Sequence, residues 1–303
     1  MFPDAAIHYM HPVKSRPAIR EAYRQHGVRD FALDSVDELE KIVAETRVAG
    51  TPAPDLGLLV RLALPKGGAL YDLSGKFGAS PEEAVTLLRR ARGHAWRLGV
   101  CFHVGSQCMD PEAYVRALAL AGETIRAAGV TVDVVDVGGG FPVSYPDITP
   151  PPLDLFMAAI ARGYAALELP GTRLWAEPGR ALVAGGMSVV VQVQQRRGDA
   201  LYINDGIYGS LSDAGVPGFR FPVRLLRKGA ASGEMMGFEF FGPTCDSADR
   251  MRGPFLLPAD VREGDWIEVG QLGAYGACLR TAFNGFDRAR IVEVADAAML
   301  ATP

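Results

Sequence analysis

The chain has 303 residues, of which 49% are apolar and 22% charged, and its formal net charge is −4. This balance is typical of a globular protein with a large core, and it argues against nucleic acid or anionic membranes bound through bulk charge. No basic leader and no apolar run of roughly 20 residues occurs, so we expect neither a signal peptide nor a membrane span, and a cytoplasmic location. The four cysteines form no C-x-x-C pair, so no metal site is expected.

Short apolar runs alternate with helix-length amphipathic segments from residue 1 to about residue 185. The runs predict strands at 6–9, 30–33, 56–62, 100–104, 132–137 and 173–176. Between them, Ser35-Val36-Asp37-Glu38 predicts a helix that starts with a capping box, and Ser80 and Asp110 are predicted N-caps. Strands that alternate with helices predict a parallel sheet or barrel.

The pattern changes after Gly185-Gly186. Segments 189–195, 200–203, 219–226, 237–241 and 265–269 are strand-like and are joined by loops rich in Gly, Pro and Asp. They predict a second domain over residues 186–303, an antiparallel β-sandwich or barrel.

Polar or glycine-rich motifs follow three successive predicted strands. They are His103-Val104-Gly105-Ser106, Gly138-Gly139-Gly140 and Glu177-Pro178-Gly179-Arg180. Because parallel barrel strands open their carboxyl ends on one face, we expect the motifs to meet in one site. Each has an ordinary alternative: a turn for the glycines, a surface ion pair for Arg180 or Glu177, and core packing for His103. Their joint placement favours a cofactor that carries a phosphate.

A family resemblance rests on these motifs and on later ones. The segments FHVGSQC, DVGGGFP and AEPGR, followed by YINDGIYGS, FGPTCDSAD and GQLGAYGACLRTAFNGF, closely resemble the fold-type III pyridoxal-phosphate decarboxylases of ornithine, lysine and diaminopimelate. The resemblance covers essentially the whole chain. It favours the ornithine/lysine branch, since the diaminopimelate branch usually has a glutamate where this chain has Asp246.

The resemblance implies pyridoxal 5'-phosphate as the cofactor and assigns residues to it. His103 stacks on the pyridine ring, and Glu177 pairs with the protonated ring nitrogen, which makes the ring an electron sink. The implied phosphate site consists of Ser106, Gly138, Gly139, Gly140, Gly179, Arg180 and Tyr275.

The resemblance also implies a homodimer with shared active sites. Cys245 and Asp246 come from the neighbouring subunit, where Cys245 reprotonates the carbanion and Asp246 binds the distal amine of the substrate. Asp213 is a further candidate ligand for that amine. The Gly-Pro before Cys245 predicts that this residue lies on a loop tip.

The Schiff-base lysine of the family lies on an early barrel strand, in a segment like Y-A-V-K. The lysines of this sequence are Lys14, Lys41, Lys66, Lys76 and Lys228. Lys14 fits superficially, but its surroundings resemble a later stretch of the family, so we expect that it is not the aldimine lysine. About six β/α units are found where a closed barrel needs eight, and we therefore predict that the (β/α)8 TIM-type barrel over residues 1–185 is incomplete at its N-terminus.

Three explanations for the lysine remain open: a fragment of a normal enzyme, β/α units supplied by another chain, or a lysine-free homologue. The expected activity is that of a carboxy-lyase in polyamine metabolism that converts ornithine, or next lysine, to a diamine and CO₂. The competing hypothesis is a non-catalytic homologue, like the antizyme inhibitors of the family, that binds the cofactor or a partner subunit.

Overall fold

The computed structural model describes residues 5–300 except 66–68, 72 and 74, and they form two compact units. The first unit contains the chain up to Phe141 together with residues 151–178. The second contains residues 142–150 and the chain from Gly179 onward. The loop at 142–150 therefore belongs to the second unit, although it lies between two segments of the first.

The first unit is built on a parallel sheet. Its strands along the chain are β1 (His8–Tyr9), β2 (Asp30–Leu33), β3 (Gly57–Arg61), β4 (Ala69–Tyr71), β5 (Arg97–Cys101), β6 (Ser106–Cys108), β7 (Val134–Asp136) and β8 (Arg173–Trp175). The sheet has the order β1-β2-β3-β5-β7-β8 with every pair parallel, while β4 and β6 form a separate antiparallel pair. This confirms the predicted incomplete barrel, and each of its six strands ends within three residues of the predicted position.

Helices connect the successive strands of this sheet: α1 (Arg16–Arg24), α2 (Val36–Thr46), α3 (Pro81–Arg92), α4 (Glu112–Ala128) and α5 (Leu153–Ala165). Helix α3 begins with a complete capping box, in which the Ser80 hydroxyl accepts from the Glu83 N–H at 3.3 Å and the Ser80 N–H donates to the Glu83 carboxylate at 2.8 Å. At α2 the predicted box was only half right. The Ser35 hydroxyl accepts from the Glu38 N–H at 3.2 Å, but the Glu38 carboxylate accepts from the Lys14 N–H at 3.1 Å instead of returning to Ser35.

Side chains at alternate positions of the parallel strands share the inner face of the sheet. An apolar cluster there consists of Ala32, Leu59, Cys101 and Val134, packed against Met10 and Trp175. Near the amino ends of the strands, Asp30 accepts from Arg97 at 3.0 and 2.9 Å, and His8 Nδ1 lies 2.8 Å from the same carboxylate. The carboxyl ends of β5, β7 and β8 lead instead into the three motifs singled out in the sequence.

The second unit contains a six-stranded sheet. Its elements are α6 (Arg180–Val183), β9 (Val189–Arg197), β10 (Ala200–Ile203), β11 (Val223–Leu226), β12 (Met235–Phe241), β13 (Arg250–Pro258) and β14 (Trp266–Val269), and the strand order is β11-β14-β9-β10-β12-β13. The expectation of a purely antiparallel domain was wrong at one pair, because β10 and β12 are parallel. The chain leaves β10, forms β11 at the far edge and returns to lay β12 beside β10, which makes the sheet mixed.

The core of this second sheet is aromatic and aliphatic. Phe240 and Phe255 stack with ring centroids 4.1 Å apart, and both are buried. Strand β13 was not predicted, because the Gly-Pro within RMRGPFLLP is typical of loops. In the part of the chain that the structure describes, no helix is both long and apolar enough to cross a bilayer.

Candidate active site

Loops at the carboxyl ends of β5, β7 and β8 approach one another closely in the first unit. A Cβ atom built on Gly138 or Gly140 would lie 2.1 or 2.3 Å from a backbone carbonyl oxygen of the loop that follows β5. A Cβ atom on Gly139 would lie 2.7 Å from the carbonyl oxygen of Glu177. Such approaches admit only glycine. The prediction that the three motifs meet is therefore confirmed for the residues of the first unit.

The imidazole of His103 is neutral. Its Nδ1 accepts from the Gly105 N–H at 3.0 Å, which leaves the ring proton on Nε2. Burial, followed by the positive charge of Arg61, lowers the pKa of His103 to about 4. A neutral, half-buried ring can stack on a cationic aromatic ring without charge repulsion.

Glu177 follows β8 and lies beside a second carboxyl group, that of Asp136. The two carboxyl groups lie close enough for each to change the pKa of the other. Asp136 is buried, and its Oδ1 accepts from the Gly138 N–H at 2.7 Å. Partial burial of its carboxyl group, followed by the charge of Asp136, raises the pKa of Glu177 to about 7. A protonated ring nitrogen would supply the positive charge that this pair lacks.

The backbone of the glycine loop can hold an anion. Within the described residues, the N–H groups of Gly139 and Gly140 have no acceptor, whereas their carbonyl groups accept from the Tyr114 hydroxyl and the Cys108 N–H, each at 2.9 Å. Amides that point away from their own chain are the donors that phosphate groups use. Ser106, the first residue of β6, is half-buried.

Arg180 is the first residue of α6 and is 7% exposed. Its Nη1 donates to the Tyr145 hydroxyl at 2.9 Å, and its Nη2 lies 2.8 Å from the Asp213 carboxylate. The guanidinium carbon lies 4.9 Å from the ring centroids of both Phe219 and Tyr275. Among the described residues its Nε has no acceptor, and an unpartnered donor in a buried side chain is one that a bound anion would satisfy.

Three further predicted site residues belong to the second unit: Asp213, Tyr275 and Gly179. Asp213 is the ion-pair partner of Arg180, a contact that the sequence did not suggest, and its predicted role as an amine ligand stays a prediction. Tyr275 is 44% exposed and has a φ of 59°. Gly179 has open space around its Cα, with nothing within 4 Å of an added Cβ, so packing does not require glycine there.

Cys245 and Asp246 lie on the loop between β12 and β13, which confirms the loop position predicted for Cys245. The thiol is exposed, and the Cys245 N–H donates to Asn284 Oδ1 at 3.1 Å. The Tyr208 hydroxyl donates to the Asp246 carboxylate, and this hydrogen bond lowers the pKa of Asp246. The loop therefore presents an ionised carboxylate next to a thiol.

Lys14 is fully engaged inside the first unit. Its Nζ donates to the carbonyl groups of Ala32 at 2.6 Å and His11 at 2.8 Å, and lies 2.9 Å from the Glu38 carboxylate. Burial lowers the pKa of Lys14. An ammonium group has three N–H bonds, and all three are used here. This arrangement supports the expectation that Lys14 does not form an aldimine.

Comparison with known proteins identifies the family. The model "pyridoxal-dependent decarboxylase, pyridoxal binding domain" matches residues 1–184, and the corresponding "C-terminal sheet domain" matches residues 182–273. The chain belongs to the pyridoxal-dependent decarboxylases. It is 34% identical to a lysine/ornithine decarboxylase of Selenomonas ruminantium, over 92% of this chain and 69% of that protein. The likeness to mouse ornithine decarboxylase is 30%, over 96% of this chain and 66% of the mouse protein.

Solved structures of the family have the same fold. A lysine/ornithine decarboxylase of Vibrio vulnificus in complex with cadaverine matches with a TM-score of 0.78 and 33% identity, over 95% of this chain and 76% of that chain. An arginine decarboxylase of Paramecium bursaria Chlorella virus bound to agmatine matches with a TM-score of 0.78 and 28% identity, over 92% of this chain and 74% of that one.

The residues found here fit the cofactor of this family. The neutral ring of His103, the paired carboxyl group of Glu177 and the free glycine amides are chemically suited to the ring, its nitrogen and the phosphate. Four residues of these clusters were not predicted from the sequence: Asp136, Tyr145, Tyr208 and Asn284. A signal existed only for Asp136, a charged residue that ends an otherwise apolar strand.

Proposed function

We propose that this pyridoxal-dependent decarboxylase acts on a basic amino acid, L-ornithine first and L-lysine second, and forms a diamine and CO₂ in polyamine metabolism in the cytoplasm. One observation carries the proposal: His103, Glu177 and two unbonded glycine amides lie together at the carboxyl ends of three strands. The diamines cadaverine and putrescine in complexes of the Vibrio vulnificus relative support the substrate class.

The residues of the first unit would hold pyridoxal 5'-phosphate. When bound, this cofactor supplies an electron sink for the electron pair that remains after CO₂ leaves. Glu177 would keep a proton at the ring nitrogen, and His103 would cover one face of the ring and exclude water from it. Gly139 and Gly140 would donate their N–H groups to the phosphate.

Further cofactor and substrate contacts are part of the proposal. Ser106, Gly138, Gly179, Arg180 and Tyr275 would complete the phosphate site. The unpartnered Nε of Arg180 supports an anion at that residue.

We assign Cys245 as the proton donor to carbon and Asp246 as the ligand of the distal amine, in a homodimer whose chains share their active sites. The Asp246 carboxylate is ionised at neutral pH because the Tyr208 hydroxyl stabilises its charge, so it suits an ammonium group. Cys245 is exposed on the same loop, which supports a role outside the core of its own chain. Asp213 is a second candidate for the amine.

The second candidate function is cofactor or partner binding without catalysis. It is favoured by Lys14, whose amine is held by three acceptors of its own chain. In that case the cofactor binds through its phosphate and ring alone, and no covalent bond to the protein forms.

The purified protein with pyridoxal 5'-phosphate and carboxyl-labelled L-ornithine or L-lysine separates the two functions. The proposal predicts labelled CO₂ and the matching diamine in equal amounts. E177Q should lose the activity, whereas E123Q, which changes an exposed glutamate of α4, should keep it. Cofactor binding without CO₂ release would support the second candidate instead.

A further inference from the structure

Asp136 is the last residue of β7, Glu177 lies two residues beyond the end of the adjacent strand β8, and both face the same side. Strands β7 and β8 are parallel with Asp136 opposite Trp175, and the pairing continues beyond β8, since the Glu177 N–H donates to the Gly138 carbonyl at 2.8 Å. Side chains alternate along a strand, so Asp136, Trp175 and Glu177 share one face, with Glu177 on the diagonal from Asp136. This register brings the two carboxyl groups to one face, where each changes the pKa of the other.

Two carboxyl groups can form a hydrogen bond only when one of them carries a proton. Asp136 accepts a further hydrogen bond from the Gly138 N–H at 2.7 Å, which favours its ionised form. The pKa of Asp136 is raised by burial, but the bonds from Gly138 and Glu177 act in the opposite direction. The charge of Asp136 in turn raises the pKa of Glu177, so the proton is held on Glu177.

The charged and titratable groups around the pair come from the neighbouring strands. Arg61 of β3 lowers the pKa of both carboxyl groups, and His8 of β1 lowers that of Asp136. Cys101 of β5 stays a neutral thiol because burial raises its pKa well above the ordinary value. The ring of His103 is neutral as well. Cys101 and His103 therefore add no charge beside the pair, which shares one proton below about pH 7.

We propose that Asp136 is a positioning residue that keeps a proton on Glu177, so that the pair offers one proton and one negative charge to a ring nitrogen. The identity of the ring rests on the proposed function. With a ring nitrogen bound there, Glu177 would give up its O–H proton to that nitrogen and would face the N–H as a carboxylate. Asp136 stays ionised throughout, so no external acid is consumed.

Carboxyl ¹³C NMR of the cofactor-free protein tests the proposal directly. The Glu177 signal is assigned by its loss in E177Q, and we expect it to titrate near pH 7 in the wild type. In D136N the neighbouring charge is gone and the new amide can donate to Glu177, so its midpoint should fall by about one pH unit or more. D133N changes the residue just before β7 and should leave the midpoint unchanged. A wild-type midpoint between about 4 and 5, or no shift in D136N, would overturn the proposal.

Cofactor affinity gives a second readout that separates this inference from the proposed function. Absorbance titration with pyridoxal 5'-phosphate should show an affinity that falls as the pH rises through about 7 in the wild type, and at lower pH in D136N. Identical pH profiles for both proteins would contradict the role of Asp136 while leaving the proposed function intact. If the cofactor does not bind but Glu177 titrates as expected, the proposed function fails and the proton assignment stands. If D136N does not fold, D136S, which also removes the charge, takes its place in both measurements with the same expected direction of shift.

Discussion

Replacing Lys14 by methionine removes a buried cation and leaves its partner behind. The Glu38 side chain is 2% exposed and lies 2.9 Å from the Lys14 ammonium group. Loss of one member of a buried pair typically destabilises a protein by about 3–5 kcal/mol. Lys41 contacts the same carboxylate from a side chain that is 20% exposed, so part of the charge stays compensated and we expect about 3 kcal/mol, at the lower end of that range.

Urea unfolding followed by circular dichroism measures this cost. K41M is the matched control, because it removes the more exposed cation from the same carboxylate and should cost less than about 1 kcal/mol. The double variant K14M/E38Q should lose less stability than the sum of K14M and E38Q, since the unpaired buried charge is gone. A cost for K14M below about 0.5 kcal/mol, the usual size for surface sites, would refute the assignment of Lys14 as a structural residue.

The same residue can be tested chemically. With pyridoxal 5'-phosphate and borohydride, peptide mapping by mass spectrometry should find no pyridoxyl group on Lys14, because its amine is held by three acceptors. A modified Lys14 peptide would contradict the structural account and would make Lys14 the aldimine lysine.

Three further predictions concern the site. His103 is neutral in the folded protein with its pKa lowered to about 4, so its contribution to stability should be lost as the pH falls from about 6.5 towards 4. Urea unfolding across that range should show a loss of at most about 3 kcal/mol. H103N should flatten this dependence of stability on pH. G140A places a Cβ 2.3 Å from a carbonyl oxygen at a backbone φ of 103°, so it should lower the free energy of unfolding by about 2 kcal/mol or more. G129A, whose Cβ would meet open space, should lower it by about 1 kcal/mol. Equal unfolding midpoints for the two variants would contradict this. N284G should speed amide hydrogen exchange at Cys245 about tenfold, whereas N284D keeps the acceptor and should stay near wild type; equal rates in both variants would exclude the hydrogen bond.

The order of strands and helices in the first unit was predictable from the sequence, because apolar runs and helix N-caps are local signals. Contacts between distant residues were not. Glu38 has the spacing of a capping-box residue, yet it turns to Lys14, which lies 24 residues earlier. The parallel pairing of β10 with β12 depends on where the intervening strand is placed, and no local pattern encodes that choice.

In the candidate site, too, some residues were predicted from local sequence and others are brought in only by the fold. His103, Glu177 and the three glycines were found because they follow strands directly. Asp136 lies within the predicted strand 132–137, and only the register of β7 and β8 places it beside Glu177. Asp213 has no local feature that predicts its ion pair with Arg180, since the two residues are joined only by the fold of the second unit.

The release of labelled CO₂ from carboxyl-labelled L-ornithine or L-lysine, with pyridoxal 5'-phosphate present, tests the central claim most directly. The account predicts CO₂ and putrescine or cadaverine in equal amounts, with a faster rate for ornithine and loss of both products in E177Q. Cofactor binding with no CO₂ from either amino acid would contradict it.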